Sequence, residues 1–189
     1  MAIKPLASLK SQAHLSQLVV VDVQTKLTAV MPSAASSHLL RNIGNLIATS
    51  QLLGVPLVVT EQYPKGLGNT EPVLLTAAPH IQAIEKITFS CMATPKFAQQ
   101  LSGEKSQIVL AGMEAHICVL QTALDLIAAG KQVFVVEDAI ISREPANKAN
   151  AIARLRDAGC VITNTESVLF EWLGVAQGDA FKAISQLVK

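Results

Sequence analysis

Short apolar runs alternate with amphipathic segments along most of this chain. Continuous apolar runs predict strands that are buried on both faces, as in a parallel sheet. Six strands are predicted, at residues 18–23, 55–60, 81–86, 108–110, 133–136 and 160–163. Apolar residues at helical spacing predict helices at 33–53, 95–101, 115–129, 145–158, 165–173 and 179–188.

This alternation predicts the fold. Strands and helices joined by short connections form βαβ units with right-handed crossovers. We therefore predict a single α/β domain over residues 1–189, with a three-layer α/β/α arrangement and a six-stranded, mainly parallel sheet. The commonest Rossmann-like strand order is 3-2-1-4-5-6. Residues 61–79 are predicted to form a long connection without regular structure, interpreted as a flexible lid or a packing loop.

Composition argues against several classes of protein. Half of the 189 residues are hydrophobic and 15% are charged, which suits one large core. The net charge of +1 does not indicate a basic surface for binding nucleic acid or an anionic membrane. No apolar run approaches the ~20 residues of a membrane span. Three widely spaced cysteines and the lack of a signal-peptide pattern favour a cytoplasmic location, without nucleic-acid or membrane partners.

A cysteine lies where the predicted fold could activate it. Cys118 falls in the first turn of the helix that follows the strand at 108–110. Unpaired N–H groups and the helix dipole favour a thiolate at such a position. In the order 3-2-1-4-5-6, Asp22 and Lys86, late in the first and third strands, would approach the same edge of the sheet. A carboxylate, an ammonium and a thiol together could activate a nucleophile and move its proton.

The segments around these residues resemble the isochorismatase-like cysteine hydrolase family, which includes nicotinamidases and related amide hydrolases. The matching motifs are residues 20–24, 60–68, 85–90, 112–119 and 138–143. The resemblance runs in order from about Leu18 to the C-terminus. It is greatest for the branch of isochorismatase domain-containing proteins, and it supports the predicted fold.

The resemblance implies a catalytic triad of Asp22, Lys86 and Cys118. Cys118 would attack a carbonyl carbon and form a thioester, Asp22 would transfer protons, and Lys86 would orient both. The family also implies a backbone oxyanion hole at Glu114 and Cys118, and a cis peptide bond between Met113 and Glu114. The expected substrate is a small amide or related carbonyl compound, and the expected assembly is a homo-oligomer (a dimer or larger). Further candidates for lining the substrate pocket are Gln24, Glu61, Gln62 and Phe89.

Two differences from known members narrow the chemistry. Metal-dependent nicotinamidases carry an Asp-x-His set after the second strand, whereas residues 60–63 here are Thr-Glu-Gln-Tyr. We therefore expect no metal and no cofactor. Isochorismatases that act on a vinyl ether can lack the cysteine, so its presence favours acyl chemistry. Two alternatives stay open: a catalytically silent scaffold or interaction protein on the same fold, and an isochorismatase-type vinyl-ether hydrolase.

Other reactive side chains are expected to be bystanders. Cys160 is predicted to be a small core residue and Cys91 to reach the pocket rim at most. His116 stands two positions before Cys118, so it is expected to point elsewhere on the helix.

Overall fold

Six parallel strands form the centre of the structure, a computed structural model that describes residues 9–189. The strands are β1 (Ser16–Val21), β2 (Leu57–Gln62), β3 (Ile84–Lys86), β4 (Gln107–Met113), β5 (Gln132–Ile141) and β6 (Val161–Thr163). Their order is β3-β2-β1-β4-β5-β6, and every pairing between them is parallel. The predicted fold class and strand order are confirmed.

Helices connect and cover the strands. In chain order they are α1 (Thr25–Thr28), α2 (Ser33–Leu53), α3 (Pro64–Leu67), α4 (Pro72–Leu75), α5 (Pro95–Gln100), α6 (Leu120–Ala128), α7 (Pro145–Asp157), α8 (Thr165–Leu173) and α9 (Gly178–Leu187). Within residues 9–189, none of them is long and apolar enough to cross a membrane.

Strand β1 lies between two hydrophobic cores, because successive side chains of a strand point to opposite faces. Leu18 and Val20 belong to one core, with residues of α2, α8 and α9. Val19 and Val21 belong to the other, with residues of α5, α6 and α7. All four side chains are fully buried. The carboxyl end of β1 therefore lies at the centre of the sheet, at the point where strand order reverses between β1 and β4.

Several predicted bounds differ from the structure, and the two largest differences, at β5 and at residues 61–79, have identifiable reasons. Strand β5 extends well beyond the predicted 133–136, since a register shift against β4 lets it continue through the polar pair Glu137 and Asp138. The expected unstructured connection at 61–79 also contains structure. Strand β2 continues to Gln62, and Pro64 and Pro72 each occupy the first turn of a short helix.

The helix after β4 does not begin as an α-helix. Residues Ala115–Val119 form one π-helical turn, and α6 follows from Leu120. Cys118 therefore lies within a wider turn than the sequence pattern predicted. The carbonyl oxygen of Glu114 accepts from the N–H groups of Ile117 (3.1 Å) and Val119 (3.3 Å), which fixes the start of this turn.

Candidate active site

A buried ion pair joins the ends of two strands that are not neighbours. Asp22 directly follows β1 and Lys86 ends β3, with β2 between them. Lys86 Nζ lies 2.6 Å from Asp22 Oδ2, and neither side chain has any solvent exposure. Thr60, on the intervening β2, donates from Oγ1 to Asp22 Oδ1 over 2.7 Å. Both carboxylate oxygens are therefore engaged, one by Thr60 of β2 and the other by Lys86 of β3.

The backbone at Asp22 turns sharply to allow these contacts. Its φ is 52°, in the left-handed region that residues other than glycine seldom occupy. The N–H of Asp22 donates to the carbonyl of Thr60 (3.1 Å), and the N–H of Gln24 donates to the carbonyl of Asp22 (2.9 Å). Strained positions of this kind persist where surrounding contacts hold them, and they cluster at functional sites.

The ammonium of Lys86 has no donor left for another molecule. In addition to Asp22 Oδ2, Nζ donates to Gln62 Oε1 (2.7 Å) and to the carbonyl oxygens of Thr88 (3.1 Å) and Phe89 (3.2 Å). An ammonium carries three protons, so these four acceptors already exceed its supply. Burial by itself would lower the pKa of Lys86, but the negative charge of Asp22 is the main cause that raises it above its ordinary value. Lys86 is therefore charged at neutral pH.

The buried thiol of Cys118 lies near the same carboxylate and is protonated at neutral pH. Burial is the largest cause that raises the pKa of Cys118 to about 12, followed by the negative charge of Asp22, with a smaller contribution from hydrogen bonding to that carboxylate. Lys86 offsets only part of this rise. Lys86 lowers the thiol pKa as expected, but burial and Asp22 have the larger effect.

A glycine brings β4 close enough for Cys118 to reach the site. Gly112 has a φ of 123°, and a Cβ built there would lie 2.1 Å from the carbonyl oxygen of Val21. Only a residue without a side chain fits so close to β1. Shortly after Gly112, the peptide bond between Met113 and Glu114 is cis. The backbone therefore turns immediately before the segment that carries Cys118.

Two side-chain contacts join this turn to the end of β5. Glu114 Oε2 accepts from the backbone N–H of Arg143 (3.0 Å) and from its Nε (3.2 Å). His116 Nδ1 lies 2.9 Å from Ser142 Oγ. Both partners belong to the motif at 138–143, so that motif supports the turn from the neighbouring strand. His116 points away from the thiol, towards β5.

The four candidate pocket residues occupy different environments. Gln24 is buried and holds backbone: Nε2 donates to the carbonyls of Gln62 (3.0 Å) and Gly68 (2.5 Å), and Oε1 accepts from the N–H of Gln62 (2.7 Å). Glu61 is also buried, and its Oε1 accepts from Thr70 N (2.6 Å) and Oγ1 (2.7 Å). These contacts account for both side chains without a substrate.

Gln62 and Phe89 lie beside Lys86. Gln62 binds the ammonium, whereas Phe89 contributes its carbonyl and leaves 56% of its surface exposed. A groove of about 550 Å³ runs along β3 next to them. The residues that line it include Tyr63, Lys65, Ile87, Thr88, Thr94 and Pro95.

Two residues of this site were missed or misplaced from the sequence. Thr60 lies opposite Val21 in the register of β1 and β2, which is the signal that could have identified it. Cys91 is fully buried, with Sγ 3.7 Å from Thr60 Oγ1 and its N–H donating to Thr122 Oγ1 (2.9 Å). Burial, then the charge of Asp22, raises the pKa of the Cys91 thiol. Cys91 does not reach the pocket rim, because the 3₁₀ turn after Ser90 directs it into the core, where it lies next to Thr60.

Cys160 and possible metal ligands lie outside this cluster. Cys160 is buried in the core, and burial raises the pKa of its thiol to about 11. In the part of the chain from residue 9 onwards, no group of three or more His, Cys, Asp or Glu side chains could hold a metal ion.

Comparison with known proteins finds one family across most of the chain. Residues 16–167 match the family described as "Isochorismatase domain". The secreted isochorismatase effector Isc1 of Phytophthora sojae is 36% identical over 185 residues, covering 93% of this chain and 85% of that protein. Isochorismatase domain-containing protein 2 of Bos taurus is 37% identical over 176 residues, covering 92% and 83% respectively. Among solved structures, the MAR1 ribonuclease from Caenorhabditis elegans has a TM-score of 0.88 and 33% identity, covering 95% of this chain and 92% of that one.

Proposed function

Because this chain belongs to the isochorismatase family, we propose that it is a cysteine hydrolase cleaving a small amide or related carbonyl compound through a thioester on Cys118. One observation carries the proposal. The buried carboxylate of Asp22 lies 2.6 Å from the ammonium of Lys86 and close enough to the protonated thiol of Cys118 to raise its pKa. A nucleophile, a base within hydrogen-bond reach and a charge that orients the base are the groups that covalent acyl transfer requires.

Asp22 is the proton carrier in this mechanism. The high pKa of Cys118 means that its proton leaves as the sulfur attacks, and Asp22 receives it while the carbonyl electrons move to oxygen. The backbone N–H groups of Glu114 and Cys118 then hold the oxyanion. When the C–N bond breaks, the amine leaves with the proton from Asp22. Asp22 next takes a proton from water, whose oxygen attacks the thioester, and returns that proton to the departing Cys118 sulfur.

Lys86 acts through its charge in this scheme. All of its protons are directed to protein acceptors, so it does not protonate the leaving group. Its positive potential stabilises the thiolate that forms during attack and expulsion. It also holds the Asp22 carboxylate in place between the thiol and β2.

A substrate panel with matched cysteine variants tests the proposal. Amides, ureido compounds, thioesters and isochorismate are incubated with the wild type, Cys118→Ala and Cys160→Ala. We expect hydrolysis of a carbonyl compound that falls at least about a thousandfold in Cys118→Ala and is kept in Cys160→Ala. Mass spectrometry should detect the acyl group on Cys118 alone.

The alternatives predict different results from the same panel. Isochorismate turnover that survives in Cys118→Ala would identify a vinyl-ether hydrolase, because that reaction needs no thiol. Absence of turnover and of an adduct with every compound would favour a scaffold or interaction protein.

Nucleic acid is not the substrate that we expect. The C. elegans relative is named a ribonuclease, but this chain has a net charge of +1. The lysine of its site is saturated, and Arg143 is tethered to Glu114. Single-stranded RNA added to the panel should remain intact. RNA cleavage lost in Cys118→Ala would overturn both this expectation and the amide assignment.

We further propose a homo-oligomer of two or more copies and a cytoplasmic location. Tyr63, Ile87 and Phe89 are large apolar side chains with exposed fractions of 55%, 82% and 56%. Clustered apolar surface of this kind often marks a contact with another chain. Light scattering after size-exclusion chromatography should give a mass of at least twice 20.0 kDa. Cell fractionation checks the location.

A further inference from the structure

The ammonium of Lys86 lies almost as close to one neutral side chain as to its counterion. Among the described residues, two of its four acceptors are side chains, and the other two are backbone carbonyls. Nζ lies 2.6 Å from the carboxylate of Asp22 and 2.7 Å from the amide oxygen of Gln62. A hydrogen bond to a charged group is stronger than one between neutral groups. Gln62 is therefore a substantial part of the lysine's environment.

The orientation of the Gln62 amide is fixed by its other contacts. Nε2 donates to the carbonyl of Ile87 (3.0 Å), so Oε1 must face the ammonium. The backbone N–H of Gln62 donates to Gln24 Oε1 (2.7 Å), and its carbonyl accepts from Gln24 Nε2 (3.0 Å). Gln62 also pairs with Lys86 in the register of β2 and β3. Gln24 thus holds the backbone of Gln62, while Ile87 and Lys86 hold its side-chain amide.

We propose that Gln62 is a positioning residue, which fixes the ammonium of Lys86 against Asp22 without adding a second negative charge near Cys118. The inference rests on the proposed function, because it assigns Lys86 an electrostatic role towards the thiol. Position 62 needs an acceptor, since without one the ammonium keeps Asp22 as its one short contact and otherwise has only the longer contacts to the carbonyls of Thr88 (3.1 Å) and Phe89 (3.2 Å). It also needs a neutral acceptor, because a carboxylate would cancel the positive potential that Lys86 exerts on Cys118.

Two substitutions at position 62 separate these requirements. Gln62→Met has a similar volume and no strong acceptor. Gln62→Glu keeps the acceptor and adds a charge. Gln17→Met is the matched control, since Gln17 also bridges backbone groups, donating to the carbonyl of Gln100 (3.0 Å) and accepting from Ser102 N (3.0 Å). Gln17 lies near the amino end of β1, whereas the site lies at the carboxyl end of the strand.

The first measurement follows Lys86 directly. Protein labelled with ¹³C-lysine is titrated by NMR, and the Lys86 Cε signal is assigned with Lys86→Arg. In Gln62→Met we expect the titration midpoint of Lys86 to fall by about one to two pH units, the effect of losing one hydrogen bond to a charged group. In Gln62→Glu the midpoint should be at or above that of the wild type. Gln17→Met should leave it unchanged.

The second measurement follows Cys118. Its rate of alkylation by iodoacetamide between pH 8 and 10 should fall by about tenfold in Gln62→Glu, because one added charge raises the thiol pKa by about one unit. Gln17→Met should alkylate at the wild-type rate. Near-UV circular dichroism confirms the fold of each variant, and Gln62→Glu carries the test if Gln62→Met does not fold.

An unchanged Lys86 midpoint in folded Gln62→Met, or an unchanged Cys118 rate in Gln62→Glu, would overturn the inference. Neither measurement needs a substrate. If the position-62 variants changed the Lys86 midpoint and the Cys118 alkylation rate in a protein that hydrolyses none of the tested compounds, the positioning role of Gln62 would be supported and the hydrolase function rejected.

Discussion

Thr60 and Asp22 meet across neighbouring strands, with Thr60 Oγ1 donating to Asp22 Oδ1 over 2.7 Å in a fully buried environment. Lys86 occupies the other oxygen of the same carboxylate. Removing the Thr60 hydroxyl would therefore leave one oxygen of a buried charge without its donor. An unpaired buried polar group costs stability and leaves its neighbours free to move.

We expect Thr60→Val to lower the free energy of unfolding by about 1–3 kcal/mol, the desolvation cost of the unpaired oxygen. Thr49→Val is the control, since Thr49 is fully buried and its hydroxyl has no partner among the described residues. That substitution should be neutral or stabilising. Urea unfolding at neutral pH measures both, and equal effects of the two substitutions would contradict the role assigned to Thr60.

Asp22→Asn should separate thiol reactivity from turnover. The pKa of Cys118 is raised first by burial and next by Asp22, while Lys86 lowers it. Removing the carboxylate charge leaves Lys86 unopposed, so the thiol pKa falls and more thiolate is present. We expect alkylation of Cys118 at pH 8 to accelerate at least about tenfold, the effect of one unit in pKa, while hydrolysis is lost with the base.

Cys160 is the internal control for that experiment, because burial is the cause that raises its pKa. Its alkylation rate should be the same in both proteins. If Asp22→Asn slowed the labelling of Cys118, Asp22 would be accelerating alkylation as a base, and the raised pKa of the thiol would not control its rate.

The buried thiols predict a loss of stability at alkaline pH. Folding raises the pKa of Cys118 from 9.0 to about 12 and that of Cys160 from 9.0 to about 11. A raised pKa favours the protonated form in the folded state. The contribution of each thiol to the free energy of unfolding is therefore complete below pH 9 and is lost as the pH rises towards the pKa of the folded state. Each thiol should add a slope of up to about −1.4 kcal/mol per pH unit to the free energy of unfolding. Urea unfolding from pH 7 to 11 measures this slope, and Cys160→Ala should make it shallower. An identical slope in that variant would mean that Cys160 ionises equally in both states.

Gly112→Ala tests the close approach of β4 to β1. Its Cβ would lie 2.1 Å from the carbonyl of Val21, and its φ of 123° disfavours any side chain. We expect a loss of more than about 3 kcal/mol, since backbone must move on both strands. Gly44→Ala is the matched control, because its added Cβ meets nothing within 4 Å among the described residues and it lies inside α2. That substitution should stabilise the protein by about 0.5–1 kcal/mol. Thermal unfolding compares the melting temperatures of the two variants, and similar values would contradict the packing described at Gly112.

The strand order could be predicted because its causes are local. Runs such as Leu18–Val21 are long enough and apolar enough to indicate burial on both faces, and short connections leave few topologies. That order predicted that Asp22, Lys86 and Cys118 approach one edge of the sheet, and in the structure Asp22 and Lys86 form an ion pair that is close enough to Cys118 to change its pKa. Their catalytic roles stay proposals.

What could not be predicted depends on burial and on paired orientations. The protonation of Cys118 follows from how much solvent the fold removes, and no spacing rule encodes that quantity. The amide of Gln62 faces Lys86 because Ile87 supplies a carbonyl on its other side. The polar Glu137 and Asp138 concealed the second half of β5, since the register shift that accommodates them is a tertiary feature.

The segment that follows Lys86 binds the ammonium through its backbone and exposes two of its side chains to solvent. The carbonyls of Thr88 and Phe89 bind the ammonium, and a carbonyl is present whatever side chain the residue carries. The side chains of Ile87 and Phe89 point outward, with 82% and 56% of their surface exposed. Substitution of the side chains at positions 87 and 89 would therefore change the exposed surface beside the ion pair while the lysine keeps its backbone acceptors.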